Sequence, residues 1–75
     1  MKTTLTKNTK YQADIFLSAL EQFATNDMIK SKLTQVGFKD VVVSGTGKSR
    51  NATGIWPGET VTADIPTQVK SIKEI

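Results

Sequence analysis

Apolar residues in the first half of the chain recur at three- and four-residue intervals, the spacing of one face of an α-helix. The first set consists of Ile15, Phe16, Ala19, Leu20, Phe23 and Ala24. The second set consists of Met28, Ile29, Leu33 and Val36, and it does not continue the stripe of the first. Thr9 and Gln12 have the spacing of a capping box before the first set, and Asn26 or Asp27 can cap the second. The pattern therefore predicts two helices.

The second half of the chain changes to extended segments separated by glycine-marked turns. Gly37 predicts the end of the second helix, because glycine readily takes the left-handed conformation of a helix stop. The three predicted strands are residues 39–44, 49–56 and 59–65. Turns are expected at 45–47 and at Pro57-Gly58. Residues 67–75 fit either a helix or a fourth strand, and we favour the strand.

These elements predict an α+β domain in which two N-terminal helices pack on a three- to four-stranded antiparallel meander. Residues 11–75 are expected to form this single domain, and residues 1–10 to be either a flexible tail or an edge strand. The predicted core consists of Phe16, Leu20, Phe23, Ile29, Leu33, Val36, Val41, Val43, Val61 and Ile65.

The amino-acid composition excludes several classes of function for this chain. The chain has 75 residues, with 37% hydrophobic and 23% charged residues, which suits one small globular core. It has neither cysteine nor histidine, which removes thiolate and imidazole metal sites and the usual nucleophile pairs. We therefore expect a protein that is not an enzyme and binds no cofactor or metal. No apolar run is long enough for a signal peptide or a membrane span, which predicts a cytoplasmic protein without membrane contact.

Residues 41–49, VVVSGTGKS, superficially match a phosphate-binding loop. Such a loop needs a glycine where this chain has Val42, and it needs a helix directly after the lysine and hydroxyl residues. The residues after Ser49 look extended instead. We therefore predict an ordinary hairpin turn here.

The expected partner-binding surface centres on Trp56, since tryptophan is a frequent anchor in protein interfaces. Arg50, Ile55 and Glu59 are expected beside it. The alternative for this side chain is a place in the core of so small a domain. We predict a non-enzymatic protein-protein interaction module, and its size suggests a phage or mobile-element assembly or inhibitory factor. Exposed strand edges would also permit self-association.

An alternative function comes from a run of basic residues. These are Lys30, Lys32, Lys39, Lys48 and Arg50. If the second helix lies beside the first hairpin, they form one positive face near an aromatic residue, which suits weak binding of single-stranded nucleic acid. The net charge of +3 is modest for that function.

Residues 33–56 also contain a sequence pattern on either side of a predicted strand. A leucine and a Gly-Phe pair precede the strand, and an arginine, a glycine and a tryptophan follow it. The positions are Leu33, Gly37-Phe38, Arg50, Gly54 and Trp56. This order resembles that of SPOR domains, which bind glycans. The resemblance is confined to these residues, and we assign no family on it.

Overall fold

The computed structural model describes residues 2–75, so that Met1 of the predicted segment 1–10 lies outside the described residues. Residues 2–75 form six strands, one α-helix and one short 3-10 helix. In chain order the elements are β1 (Lys2–Leu5), β2 (Thr9–Phe16), the 3-10 helix (Glu21–Phe23), α1 (Asn26–Val36), β3 (Lys39–Thr46), β4 (Ser49–Trp56), β5 (Val61–Asp64) and β6 (Val69–Glu74).

Within residues 2–75 the strands form a four-stranded sheet in the order β3-β4-β2-β6 and a separate β1-β5 pair. All pairings are antiparallel. Because β2 and β3 both run antiparallel to β4, they are parallel to each other, and α1 connects them. This is a split β-α-β arrangement with β4 inserted between the two parallel strands. It places α1 against one face of the sheet.

The prediction of two N-terminal helices is wrong, because residues 9–16 form β2 in the centre of the sheet. Thr9 and Gln12 therefore do not form a capping box. The inward side chains follow a period of two and are Tyr11, Ala13, Ile15 and Leu17. Buried side chains at every second position are typical of a half-buried strand, and Tyr11 and Ile15 are residue types that favour strands. The period of two therefore outweighs the helical spacing of the first apolar set.

The predicted core is wrong for the residues that were taken from the first apolar set. Phe16, Leu20 and Phe23 are exposed, and so is Val61. The buried core residues are Leu5, Tyr11, Ala13, Ile15, Leu17, Leu33, Phe38, Val41, Ala52, Ile65 and Val69. Leu33, Val41 and Ile65 are common to both sets. The exposed residues of the stripe lie on the opposite side of β2 or in the loop after it.

The predicted meander is also wrong, because the third strand does not return beside the second. β4 already has β3 on one side and β2 on the other, which leaves it no free edge. The chain therefore leaves the sheet at Pro57, and β5 pairs with β1, with Leu5 opposite Val61 and Lys2 opposite Asp64. The strand favoured for residues 67–75 is present as β6, which takes the free edge of β2.

The helix and the hairpin of the central segment follow their sequence signals. Thr25, rather than Asn26 or Asp27, caps α1, and its hydroxyl accepts from the Met28 N–H at 3.2 Å. At the other end Gly37 has φ of 130°. The hairpin between β3 and β4 has a two-residue loop, since Thr46 pairs with Ser49. The predicted hairpin is present, but its turn is Gly47-Lys48 and not 45–47, because β3 continues through Thr46.

The helix stop has the hydrogen bonds of a Schellman motif. Gly37 N–H donates to the Thr34 carbonyl at 3.1 Å, and Phe38 N–H donates to the Leu33 carbonyl at 3.2 Å. The Phe38 ring then packs edge to face on Trp56, with ring centroids 5.3 Å apart. This contact fixes the end of α1 over the sheet.

Candidate functional site: an apolar groove beside the helix

An open apolar groove of about 520 Å³ lies between α1, the loop that follows β2, and the connection before β6. Its apolar lining consists of Ile15, Leu17, Leu20, Phe23, Ala24, Met28, Ile29, Leu33, Pro66 and Val69. Four of these residues, Ile15, Leu17, Leu33 and Val69, also belong to the core. The floor of the groove is therefore the edge of the hydrophobic core.

The rim of the groove is apolar and exposed. Leu20 is 87% exposed, Phe23 79% and Met28 61%. A scattered surface leucine is ordinary, but large apolar side chains gathered around one concavity make that surface a candidate for interaction. We refer to Leu20, Phe23 and Met28 as the groove rim.

The short 3-10 helix holds Leu20 and Phe23 outward. It is fixed by a capping box in which Glu21 N–H donates to Ser18 Oγ at 3.2 Å, and Ser18 N–H donates to Glu21 Oε1 at 2.9 Å. Ala24 N–H closes the turn on the Glu21 carbonyl at 2.9 Å. Ser-x-x-Glu is a recognisable sequence signal, but the predicted caps did not include it.

Glu21 also fastens this wall to the opposite side of the groove. Its Oε2 accepts from the Gln68 side-chain amide, while the Gln68 carbonyl accepts from Phe16 N–H at 2.9 Å. The backbone hydrogen bond from Ser18, the bond from Gln68 and the Ser18 hydroxyl lower the pKa of Glu21 below its ordinary value of 4.5, and the nearby Lys70 charge adds to the effect. The carboxylate therefore stays ionised in the groove wall.

Arg50, which the sequence places on a partner surface, is 8% exposed and faces inward beside the groove wall. Its guanidinium donates to Asn26 Oδ1 at 2.7 Å, to the Gln22 carbonyl at 2.9 Å and to the Gly47 carbonyl at 3.1 Å. No carboxylate within residues 2–75 forms an ion pair with it. One side chain thus joins the hairpin loop, the start of α1 and the 3-10 helix.

Two charged side chains of opposite sign line the groove, Glu21 and Lys32. The Glu21 carboxylate is held by the hydrogen bonds of the groove wall. Lys32 is exposed, and no acidic group of the described residues lies within ion-pair distance of it. The groove therefore offers an apolar surface with one acid and one unpaired base.

The other predicted partner residues lie away from the groove. Trp56 pairs with Thr9 at the start of β2, whereas the groove begins at Ile15 near its end. The Trp56 ring is half-buried, and its Nε1 donates to the Glu59 carbonyl at 2.9 Å. Ile55 is half-buried, and Glu59 is exposed and forms an ion pair with Lys7. Trp56 and Glu59 thus already have partners within the protein.

The structure does not gather the predicted basic residues on one face. Lys30 and Lys32 are on α1, Lys48 is in the hairpin loop, and Arg50 faces the interior. Lys39 pairs with Ile55, which alternates with the buried residues of β4 and so lies on the sheet face away from the core. These cations are therefore distributed over both faces and one end of the sheet.

Neither metal ligands nor relatives add a second candidate site. Among residues 2–75, no three side chains of the metal-binding types cluster closely enough to hold an ion. In the same part of the chain, no helix combines the length and the apolar character needed to cross a bilayer. No protein-family model matches the chain, and no match was found among curated proteins or solved structures.

Proposed function

We propose that this protein is a small, non-enzymatic protein-interaction module whose docking surface is the apolar groove. The observation that supports this proposal is the exposure of the groove rim around a concavity continuous with the core. Full burial of a leucine, phenylalanine or methionine side chain stabilises a complex by about 1.5–3 kcal/mol each. Covering the three rim residues would thus contribute several kcal/mol to association.

The groove is a better docking surface than the Trp56 corner. Hot-spot side chains lose most of their exposed apolar area on binding, and they lie in the centre of a desolvated patch. Leu20 and Phe23 have that area available, whereas Trp56 already packs on Phe38 and donates to Glu59. That Trp56, Arg50, Ile55 and Glu59 bind a partner protein remains a prediction from the sequence.

Site-specific photo-crosslinking tests the proposal. A photoreactive amino acid replaces Leu20 in one variant and Val42 in a matched control, because both side chains are exposed and apolar but Val42 lies on β3, outside the groove. We expect a discrete protein adduct from position 20 in the producing cells, and its loss when Phe23→Ser is added. Equal adducts from both positions, or none from position 20, would contradict a docking groove.

A further inference from the structure

We propose that the occupant of the groove is the same groove of a second copy of this chain, in a two-fold symmetric dimer. This inference rests on the proposed function and names its partner. In a two-fold interface the same patch is used by both copies, so that the patch must contain both a concavity and the groups that fill it. The groove and its rim meet that requirement.

One short segment supplies both parts of the interface. Leu20 directly precedes the 3-10 helix that forms one wall of the groove, Phe23 is the last residue of that helix, and both side chains protrude into solvent. In the dimer, Phe23 of each copy enters the groove of the other and covers its apolar floor. A volume of about 520 Å³ falls within the range of roughly 300–1,000 Å³ for pockets that enclose drug-sized ligands, which leaves room for such side chains.

The charges of the groove are self-complementary as well. A groove built for an acidic or a basic partner would carry charge of one sign, but this groove has Glu21 and Lys32. A two-fold axis through the groove can bring Lys32 of each copy to Glu21 of the other. The hydrogen bonds that hold Glu21 ionised also fix its position, while Lys32 is without an ion partner in the described residues.

The experiment is sedimentation velocity of the full chain from micromolar to submillimolar concentration. We expect a monomer-dimer equilibrium whose dissociation constant increases by about 100-fold in Phe23→Ser. The substitution occurs twice per dimer, and each lost apolar contact raises the dissociation constant by about tenfold. Phe23 is exposed in the monomer, so far-ultraviolet circular dichroism should stay unchanged. Val42→Ser removes an exposed apolar side chain outside the groove, and as the matched control it should leave the dissociation constant of the dimer unchanged.

A second pair of variants tests the charges. Lys32→Glu places an acid opposite Glu21 of the other copy and should weaken the dimer, most strongly at low salt. Lys30→Glu makes the same change of net charge on the same helix, outside the groove lining, and should have no such effect.

The outcomes separate this inference from the proposed function. A chain that stays monomeric at every concentration would overturn the second copy as occupant, while a heterologous adduct from position 20 would still support the docking groove. A dimer that persists unchanged in Phe23→Ser would overturn the groove as the surface of self-association. A dimer lost in Phe23→Ser and Lys32→Glu alone supports the inference.

Discussion

Replacing Arg50 by alanine tests whether one buried guanidinium holds the hairpin, the helix start and the groove wall together. The substitution removes three hydrogen bonds from a charged donor and leaves the Gln22 carbonyl, Asn26 Oδ1 and the Gly47 carbonyl without it. Hydrogen bonds to charged groups contribute about 1.5–3 kcal/mol each. Because the hairpin loop is close to solvent, water can replace part of this loss. We therefore expect a decrease in the free energy of unfolding of about 3–5 kcal/mol.

That loss is large for a domain of this size, since stabilities of about 0.05–0.15 kcal/mol per residue are typical. Urea unfolding followed by the fluorescence of Trp56, the chain's only tryptophan, measures it directly. Lys48→Ala is the matched control, because Lys48 is an exposed cation two residues away in the hairpin loop. It should change the free energy of unfolding by less than about 0.5 kcal/mol.

Arg50→Lys separates charge from geometry. A lysine keeps the positive charge but cannot reach three acceptors with a planar fork of donors, so that it should recover less than half of the lost stability. An Arg50→Ala variant within about 1 kcal/mol of the wild type would refute the role of Arg50 as the link between these elements.

The helix stop, the helix cap and the groove wall can each be tested by one substitution. Gly37→Ala should lower the free energy of unfolding in urea by about 2–4 kcal/mol, because φ is 130° and the added Cβ would lie 2.8 Å from Trp56 Cζ3. An unchanged free energy of unfolding would contradict this packing. Thr25→Ala should cost about 1 kcal/mol by the same assay because the Met28 N–H loses its cap, and no change would argue against the cap. The pKa of Glu21 is lower in the folded state than its ordinary 4.5, so its stabilising effect is complete above pH 4.5 and is lost as the pH falls through the folded-state value. The melting temperature of the wild type should therefore exceed that of Glu21→Gln at neutral pH, and this difference should disappear in acid; a difference independent of pH would contradict the prediction.

Signals within short segments allow part of the fold to be predicted. The apolar spacing of α1 and the glycine at its end mark one helix, and Gly45 and Gly47 mark one hairpin. Both depend on residues that are close in sequence. The arrangement of the strands cannot be predicted in the same way, because it depends on residues far apart in sequence. β5 cannot pair with β4, since β2 and β3 occupy both edges of β4.

The prediction of the first helix is wrong for a reason connected to the site. Phe16, Leu20 and Phe23 have helical spacing, and a helix would have buried them, but in the structure they face solvent and the last two form part of the groove rim. Exposed apolar side chains with helical spacing can thus be mistaken for the apolar stripe of a core helix. Departures from the rule that apolar residues are buried are expected at functional sites.

The internal role of Arg50 cannot be predicted from the sequence either. Its acceptors in the groove wall and helix start, Gln22 and Asn26, are 28 and 24 residues away along the chain. They come together only because β4 inserts between β2 and β3. The Ser18-x-x-Glu21 box, by contrast, is visible in the sequence, but the similar signal at Thr9 competes with it because Thr9 precedes the longer apolar stripe.

Amide nitrogen-proton correlation spectra at increasing protein concentration test the self-complementary groove residue by residue. We predict progressive shifts of the amide signals of residues that line the groove, such as Leu17 and Leu33, and unchanged signals for Gln12 and Asn51, which lie on the sheet face away from the core. The shifts should disappear in Phe23→Ser. Spectra that do not change with concentration, or changes confined to the edge strands β3 and β6, would contradict a self-complementary docking groove.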